Sequence, residues 1–155
     1  MKKKNLMKSL TALVLSVLMV LSLAACGAKP SDGGKDEDKD GYTVAIIKQM
    51  DHASLDEIAD AIAARLDAIA QEQNVSIRYT ITSGQGDQSV LKQLADQAVA
   101  DQVDAIIPIA TTAAQVSAVA AEDSRTPVVY AAISDPDTAK LTGIDYVTGT
   151  SDALN

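Results

Sequence analysis

The apolar residues of this 155-residue chain fall into three regimes. Leu10 to Leu23 is almost wholly apolar, broken only by Thr11, Ser16 and Ser22. Residues 27–41 carry no large apolar side chain. From Tyr42 onward, short apolar runs alternate with stretches whose apolar residues recur three or four positions apart. Thr43-Val44-Ala45-Ile46-Ile47 is a β-rich run without strict alternation, as expected of a strand covered on both faces. Ser54-Leu55-Asp56-Glu57 reads as a capping box, and Leu55, Ile58, Ala59, Ile62, Leu66 and Ile69 then form one helical stripe. Val75 to Ile81 predicts a second strand. Asp87 to Val99 predicts a second helix, with Val90, Leu91, Leu94, Ala98 and Val99 on its apolar face. Ala105 to Ile109 predicts a third strand, and an Ala-rich helix follows from about Thr112 to Ala121. Pro127 opens a fourth strand through Ala132, and Leu141 to Ile144 predicts a short fifth.

This β-α alternation predicts an α/β fold: a parallel, doubly wound sheet with right-handed crossovers and helices on both faces. The expected strand order is the flavodoxin-like 2-1-3-4-5, in which ligands bind beyond the carboxyl ends of the strands. The loops at that edge are Gln49-Met50-Asp51-His52, Ser83-Gly84-Gln85-Gly86-Asp87, Ala110-Thr111-Thr112 and Ser134-Asp135-Pro136. Small, hydroxylic and acidic residues dominate them. Thr111 and Thr112 fall where a helix begins, so their hydroxyls and the free N–H groups of the first turn could hold an anion such as a carboxylate. The same residue types also serve as plain N-caps, and spacing alone leaves both readings open.

The first regime changes the picture of where the chain works. Lys2, Lys3, Lys4 and Lys8 precede the apolar run, and Leu23-Ala24-Ala25-Cys26 follows it. A cationic start, a short apolar stretch and small residues before a cleavage point describe a secretory signal. The cysteine at that point resembles the bacterial lipobox, in which the thiol receives a diacylglycerol and becomes the first mature residue. Residues 1–25 are therefore expected to be a lipoprotein signal peptide, and Cys26 the lipidation site. An uncleaved transmembrane helix is the alternative, but the run falls short of the ~20 residues that span a bilayer. Two acyl chains, at roughly 0.8 kcal/mol per buried methylene, anchor a protein stably. Cys26 is the only cysteine, so no intrachain disulfide and no Cys-based metal site can form.

Removing residues 1–25 takes four of the 13 Lys and Arg and none of the 21 Asp and Glu, leaving 9 against 21, a net charge of −12. That balance excludes nucleic acid as a partner, because phosphate binding needs clustered cations. Residues 26–41 read as the lipidated cysteine and a flexible acidic tether. Within the tether, Asp36, Asp38, Asp40 and Gly41 match the first half of a calcium loop. The position of its closing Glu is Ile47, so no metal is expected there.

The loop wording is more specific than the periodicity. The segments run Ile46-Ile47-Lys48-Gln49-Met50-Asp51-His52-Ala53-Ser54-Leu55-Asp56, then Gly86-Asp87-Gln88-Ser89, then residues 103–115 (Val103 to Gln115). Residues 127–136 (Pro127 to Pro136) and Val147-Thr148-Gly149-Thr150-Ser151-Asp152 complete the set. In this order they resemble the first lobe of ABC-transporter substrate-binding lipoproteins, in the group linked to aromatic amino acid (tryptophan or tyrosine) uptake. The resemblance implies a type I periplasmic-binding-protein fold, two α/β lobes closing on a small ligand without covalent chemistry, cofactor or metal. Carried onto this chain, its cleft loops point to Gln49, Asp51, His52, Thr111, Thr112, Ser134 and Asp135 as ligand-binding residues. It implies an extracytoplasmic, membrane-anchored protein whose partners are an amino acid or similar small molecule, a permease and its ATPase. The family often has Pro after His52 and at the position of Thr112; this chain has Ala53 and Thr112. The resemblance runs out at Asn155, near the family's hinge, so residues 42–155 are expected to be one lobe of a truncated or partial sequence.

An enzyme is the rival class. His52 is the only imidazole, and no nucleophile elbow, phosphate loop, dinucleotide fingerprint or metal cluster occurs in the sequence. A second rival is a lipid-anchored sensor of the same fold that presents its ligand to a membrane receptor. Aromatic ligands need apolar platforms, yet Phe and Trp are absent. Tyr79 and Tyr130 are expected in the core, Tyr42 at the wrong edge of the sheet and Tyr146 near the hinge, so the second lobe or apolar contacts such as Met50 would have to hold an aromatic ring.

Overall fold

The computed structural model describes residues 41–151. The expected signal peptide, Cys26, the expected tether and the acidic half of the calcium-like segment lie outside the described residues. Gly41, expected to close the tether, is instead the first residue of β1 (Gly41–Lys48), opposite Ser76 of the neighbouring strand.

Val44 and Ile46 of β1 are buried against one side of the sheet, Ala45 and Ile47 against the other. That double burial explains the unbroken apolar run. Fully burying a side chain such as Ile46 or Ile47 stabilises the fold by about 1.5–3 kcal/mol. β1 pairs in parallel with β2 (Ser76–Ser83) and with β3 (Ala105–Ile109). β4 (Val128–Ile133) and β5 (Val147–Ser151) extend the sheet, giving the order β2-β1-β3-β4-β5. The expected doubly wound topology is present.

Three helices fill the crossovers among the described residues: α1 (Ala53–Gln73), α2 (Gln88–Ala100) and α3 (Thr111–Ala120). Leu55, Ile58, Ala59, Ile62 and Leu66 of α1 pack on Val44, Ile46 and Ile109. On the opposite face, Leu91, Ala95 and Ala98 of α2 and Ala113 of α3 meet Ala45, Ile47, Ile106 and Val128. The alanines let two helices lie close together on that side. Asn74, in the left-handed conformation that ends helices, closes α1 while Val75 N–H returns to the Ala70 carbonyl at 3.0 Å. Among the described residues, no helix is long and apolar enough to cross a membrane.

Three sequence expectations are corrected. The capping box at Ser54 does not form; α1 begins earlier, with His52 as N-cap and its Nδ1 accepting Ser54 N–H at 3.2 Å. The third helix starts at Thr111, and its N-cap is Ala110, which has no side-chain acceptor. Thr111 and Thr112 are therefore first-turn residues and not caps. The fifth strand is Val147–Ser151, not Leu141 to Ile144. Leu141 is buried in a turn against Tyr130, Ile133 and Ala139, its N–H donating to Pro136 O at 2.9 Å. Its apolarity reports core contact, not a strand. β5 is identified by backbone pairing instead. At Gly149 it runs so near β4 that a Cβ would lie 2.2 Å from the Tyr130 carbonyl oxygen.

Candidate functional site

The carboxyl ends of β1, β2, β3 and β4 bring four connections to one edge, and the predicted ligand-binding residues lie there: Gln49, Asp51 and His52 after β1, Thr111 and Thr112 in the first turn of α3, and Ser134 and Asp135 after β4. Gln49 stands at their centre. Its N–H donates to Ile109 O at 3.1 Å, and its carbonyl accepts Gly86 N–H at 2.9 Å. Its side-chain Oε1 accepts Thr112 N–H at 3.0 Å. One residue thus ties the loop after β1 to the loops after β2 and β3. The Thr112 N–H has a protein partner, so of the first-turn donors of α3 this one is engaged internally.

Ala110, between β3 and α3, has φ 78° and ψ 162°, a region that L-residues avoid. Its N–H donates to Ala131 O at 3.0 Å. The partner strand is irregular at the same level: the β4–β5 register shifts between Tyr130 and Ile133, and Ala132 has φ 58°. Ala110 and Ala132 thus put unusual backbone at the carboxyl ends of both β3 and β4.

Asp51 is exposed and lies 3.2 Å from Lys48 Nζ. The Ser83 hydroxyl, then Lys48, hold its carboxyl below the usual carboxylate range. Lys48 also contacts Asp56 in the first turn of α1. That hydrogen bond outweighs burial and raises the lysine pKa. His52 is engaged as the cap of α1. Asp135 accepts Thr138 N–H at 3.0 Å and Thr138 Oγ1 at 2.6 Å, which lowers its pKa. The neighbouring Ser134 carbonyl accepts Ser151 Oγ at 3.3 Å, pinning the loop to β5. Asp87 caps α2 through Ser89 N–H at 2.6 Å and Val90 N–H at 3.3 Å, and these bonds lower its pKa as well.

The structure therefore joins Gln49 directly to Thr112, and holds Asp51, His52 and Asp135 by bonds within their own neighbourhoods. Met50, exposed, places its methyl group beside Gly86, where a Cβ would lie 3.6 Å from it. Sequence reasoning missed Lys48 and Ser83. A lysine closing an apolar strand, with Asp at the third and eighth positions beyond it, is a signal that could have found the first. Among the described residues, no group of His, Cys, Asp or Glu could hold a metal ion. A shallow recess of about 670 Å³ lies elsewhere, on the α2–α3 flank beside Lys92, Gln115 and Val119.

A parallel 2-1-3-4-5 sheet with its polar loops gathered at one end defines a lobe of the periplasmic-binding-protein type. The profile of the ABC transporter substrate binding protein family matches residues 43–155, and the chain belongs to that family. Among solved structures it is similar to a ligand-free, open substrate binding protein with adhesive properties from Clostridium difficile. The identity there is 25%, with TM-score 0.65, covering 74% of this chain and 40% of that one. It is also similar to an ABC domain in complex with L-Trp from Streptococcus pneumoniae, at 32% identity and TM-score 0.63, covering 73% and 39%. A solute binding protein from Rhodopseudomonas palustris in complex with 3,4-dihydroxy benzoic acid shares the fold, at 20% identity and TM-score 0.54, covering 71% and 31%. The chain thus spans about 40% of the length of the first of these. No match was found among curated proteins.

Proposed function

We propose that this chain is the first lobe of a lipid-anchored, extracytoplasmic solute-binding protein of an ABC importer. It captures an amino acid, of the aromatic class, at its strand-end loops and passes it to a permease, with no covalent chemistry. The observation that carries the reading is the family match over residues 43–155 on a lobe whose polar loops converge at Gln49. The L-Trp complex of the relative at 32% identity supports the ligand class. The loops suit a zwitterion: the first turn of α3 offers N–H donors to a carboxylate, and Asp51 and Asp135 offer anionic oxygens to an ammonium. Met50 supplies an apolar surface for a side chain. The lipobox-like Leu23-Ala24-Ala25-Cys26 supports the anchor.

The test is a thermal-shift panel of the free amino acids against the expressed chain, followed by calorimetric titration of any that shift it. A ligand at 100 times its Kd stabilises a protein by about 2.7 kcal/mol. L-tryptophan or L-tyrosine is expected to raise the midpoint. Stabilisation by a sugar, with none by any amino acid, would refute the ligand class. The anchor is tested separately: labelled palmitate should enter the wild-type chain and not the Cys26→Ser variant.

A further inference from the structure

We propose that Lys48 is a positioning residue that holds the Gln49–His52 loop in one conformation by clasping Asp51 and Asp56. This inference rests on the reading of the strand-end loops as the capture surface. Lys48 ends β1, and its side chain is only 13% exposed, whereas Asp51 is 66% and Asp56 47% exposed. Lysine is seldom so enclosed unless it is paired. Here its ammonium reaches two carboxylates that belong to different pieces of the fold. Asp56 is in the first turn of α1, and Asp51 is in the loop itself.

The alternation of β1 puts Lys48 in register with Val44 and Ile46, on the side covered by α1. Gln49, the next residue, reaches the start of α3. The loop is therefore gripped from two directions, by Lys48 toward α1 and by Gln49 toward α3. Exposed ion pairs contribute little to global stability. What this one supplies is local order, and a loop ordered before binding spares the ligand the cost of ordering it.

Amide hydrogen exchange on the full chain tests the assignment without any ligand. Gly86 and Thr112 N–H groups report on the loop, because both donate to Gln49. Ile106 and Val128 N–H groups, bonded to Pro127 O and Tyr146 O, report on the sheet. In Lys48→Met, exchange at Gly86 and Thr112 is expected to quicken about tenfold while the sheet amides stay within about twofold. Lys48→Arg should return the loop amides to within about threefold of wild type. Loop amides that quicken no more than the sheet amides, or that Lys48→Arg does not restore, would overturn the proposal. Asp51→Asn alters only an exposed partner and serves if Lys48→Met does not fold; unchanged exchange at Gly86 in that variant would overturn it equally. Failure of the capture reading looks different: L-tryptophan would not bind wild type, and the exchange result would be unaffected.

Discussion

The side-chain oxygen of Gln49 accepts the backbone N–H of Thr112 across 63 residues of sequence, at 3.0 Å. It supplies to α3 the cap that Ala110 cannot, since Ala110 has no side-chain acceptor. Gln49→Leu should therefore destabilise the chain by about 1 kcal/mol, the typical loss of a partly buried hydrogen bond. Gln49→Glu keeps the acceptor and sets a negative charge at a helix N-terminus, worth about 0.3–1 kcal/mol. Urea midpoints at unchanged m-value check the order: Glu at or above wild type, Leu below both.

Ala110 has φ 78° and ψ 162°, which only glycine adopts without strain. Ala110→Gly should relieve about 1–3 kcal/mol of strain against about 0.4–1 kcal/mol of added unfolded-chain entropy. The net expectation is stabilisation by about 1 kcal/mol, read as a higher urea midpoint. A lower midpoint would mean the backbone there is not strained.

Gly84 leaves no room for a side chain: a Cβ would sit 2.3 Å from Leu91 Cδ2 and 3.1 Å from Gln49 O. Leu91 is buried in the core, so any shift away from that methyl disturbs its packing. Gly84→Ala should cost about 1–3 kcal/mol by overpacking. Leu91→Ala should cost about 2–5 kcal/mol by leaving a cavity. Because the added methyl fills part of that cavity, the double variant should be more stable than the sum of the single losses predicts. A double-mutant cycle measures the coupling.

Asp51, Asp87 and Asp135 all have carboxyl pKa values held below the ordinary value, by Ser83, by the Ser89 and Val90 amides, and by Thr138 respectively. Between the depressed folded value and the unfolded value of ~3.9, the unfolded chain binds more protons, so stability rises with pH. The contribution is fully present above the unfolded value and is lost as pH falls through the folded one. Lys48 has the opposite sign: its raised pKa contributes below the unfolded value of ~10.4, a contribution lost as pH rises through the folded value. Asp87→Asn keeps a capping side chain but removes one titration, so it should flatten the acid limb with little change at neutral pH. Asp87→Ala should lose stability at neutral pH too. Urea melts across about pH 2 to 6 separate the two.

How far the sequence could be read depended on what each pattern was reporting. Ala105–Ile109 was legible to the residue, because a central strand covered on both faces reads as an unbroken apolar run. Val147–Ser151 was not: its residues are hydroxylic, small and mostly exposed, and backbone pairing to β4 alone makes it a strand. Leu141 drew the expectation to the wrong segment because burial in a turn leaves the same apolar mark as burial in a strand. The start of α1 was misplaced because histidine is a rare cap, and Ser54 with Glu57 satisfied the common pattern. The loops of the candidate site were legible through the sheet order, which sends every strand's carboxyl end to one edge. Gln49 could be singled out only by resemblance. Nothing within residues 42–52 announces a hydrogen bond to Thr112, since long-range contacts leave no local period.

The central claim, that the strand-end loops of this lobe take up an amino acid, is tested most directly by mapping backbone amide shifts during titration with L-tryptophan. The account predicts perturbations confined to Gln49–His52, Gly84–Asp87, Ala110–Ala113 and Ser134–Asp135. Perturbations confined to the α2–α3 flank around Lys92 and Val119, or none at saturating ligand, would contradict it.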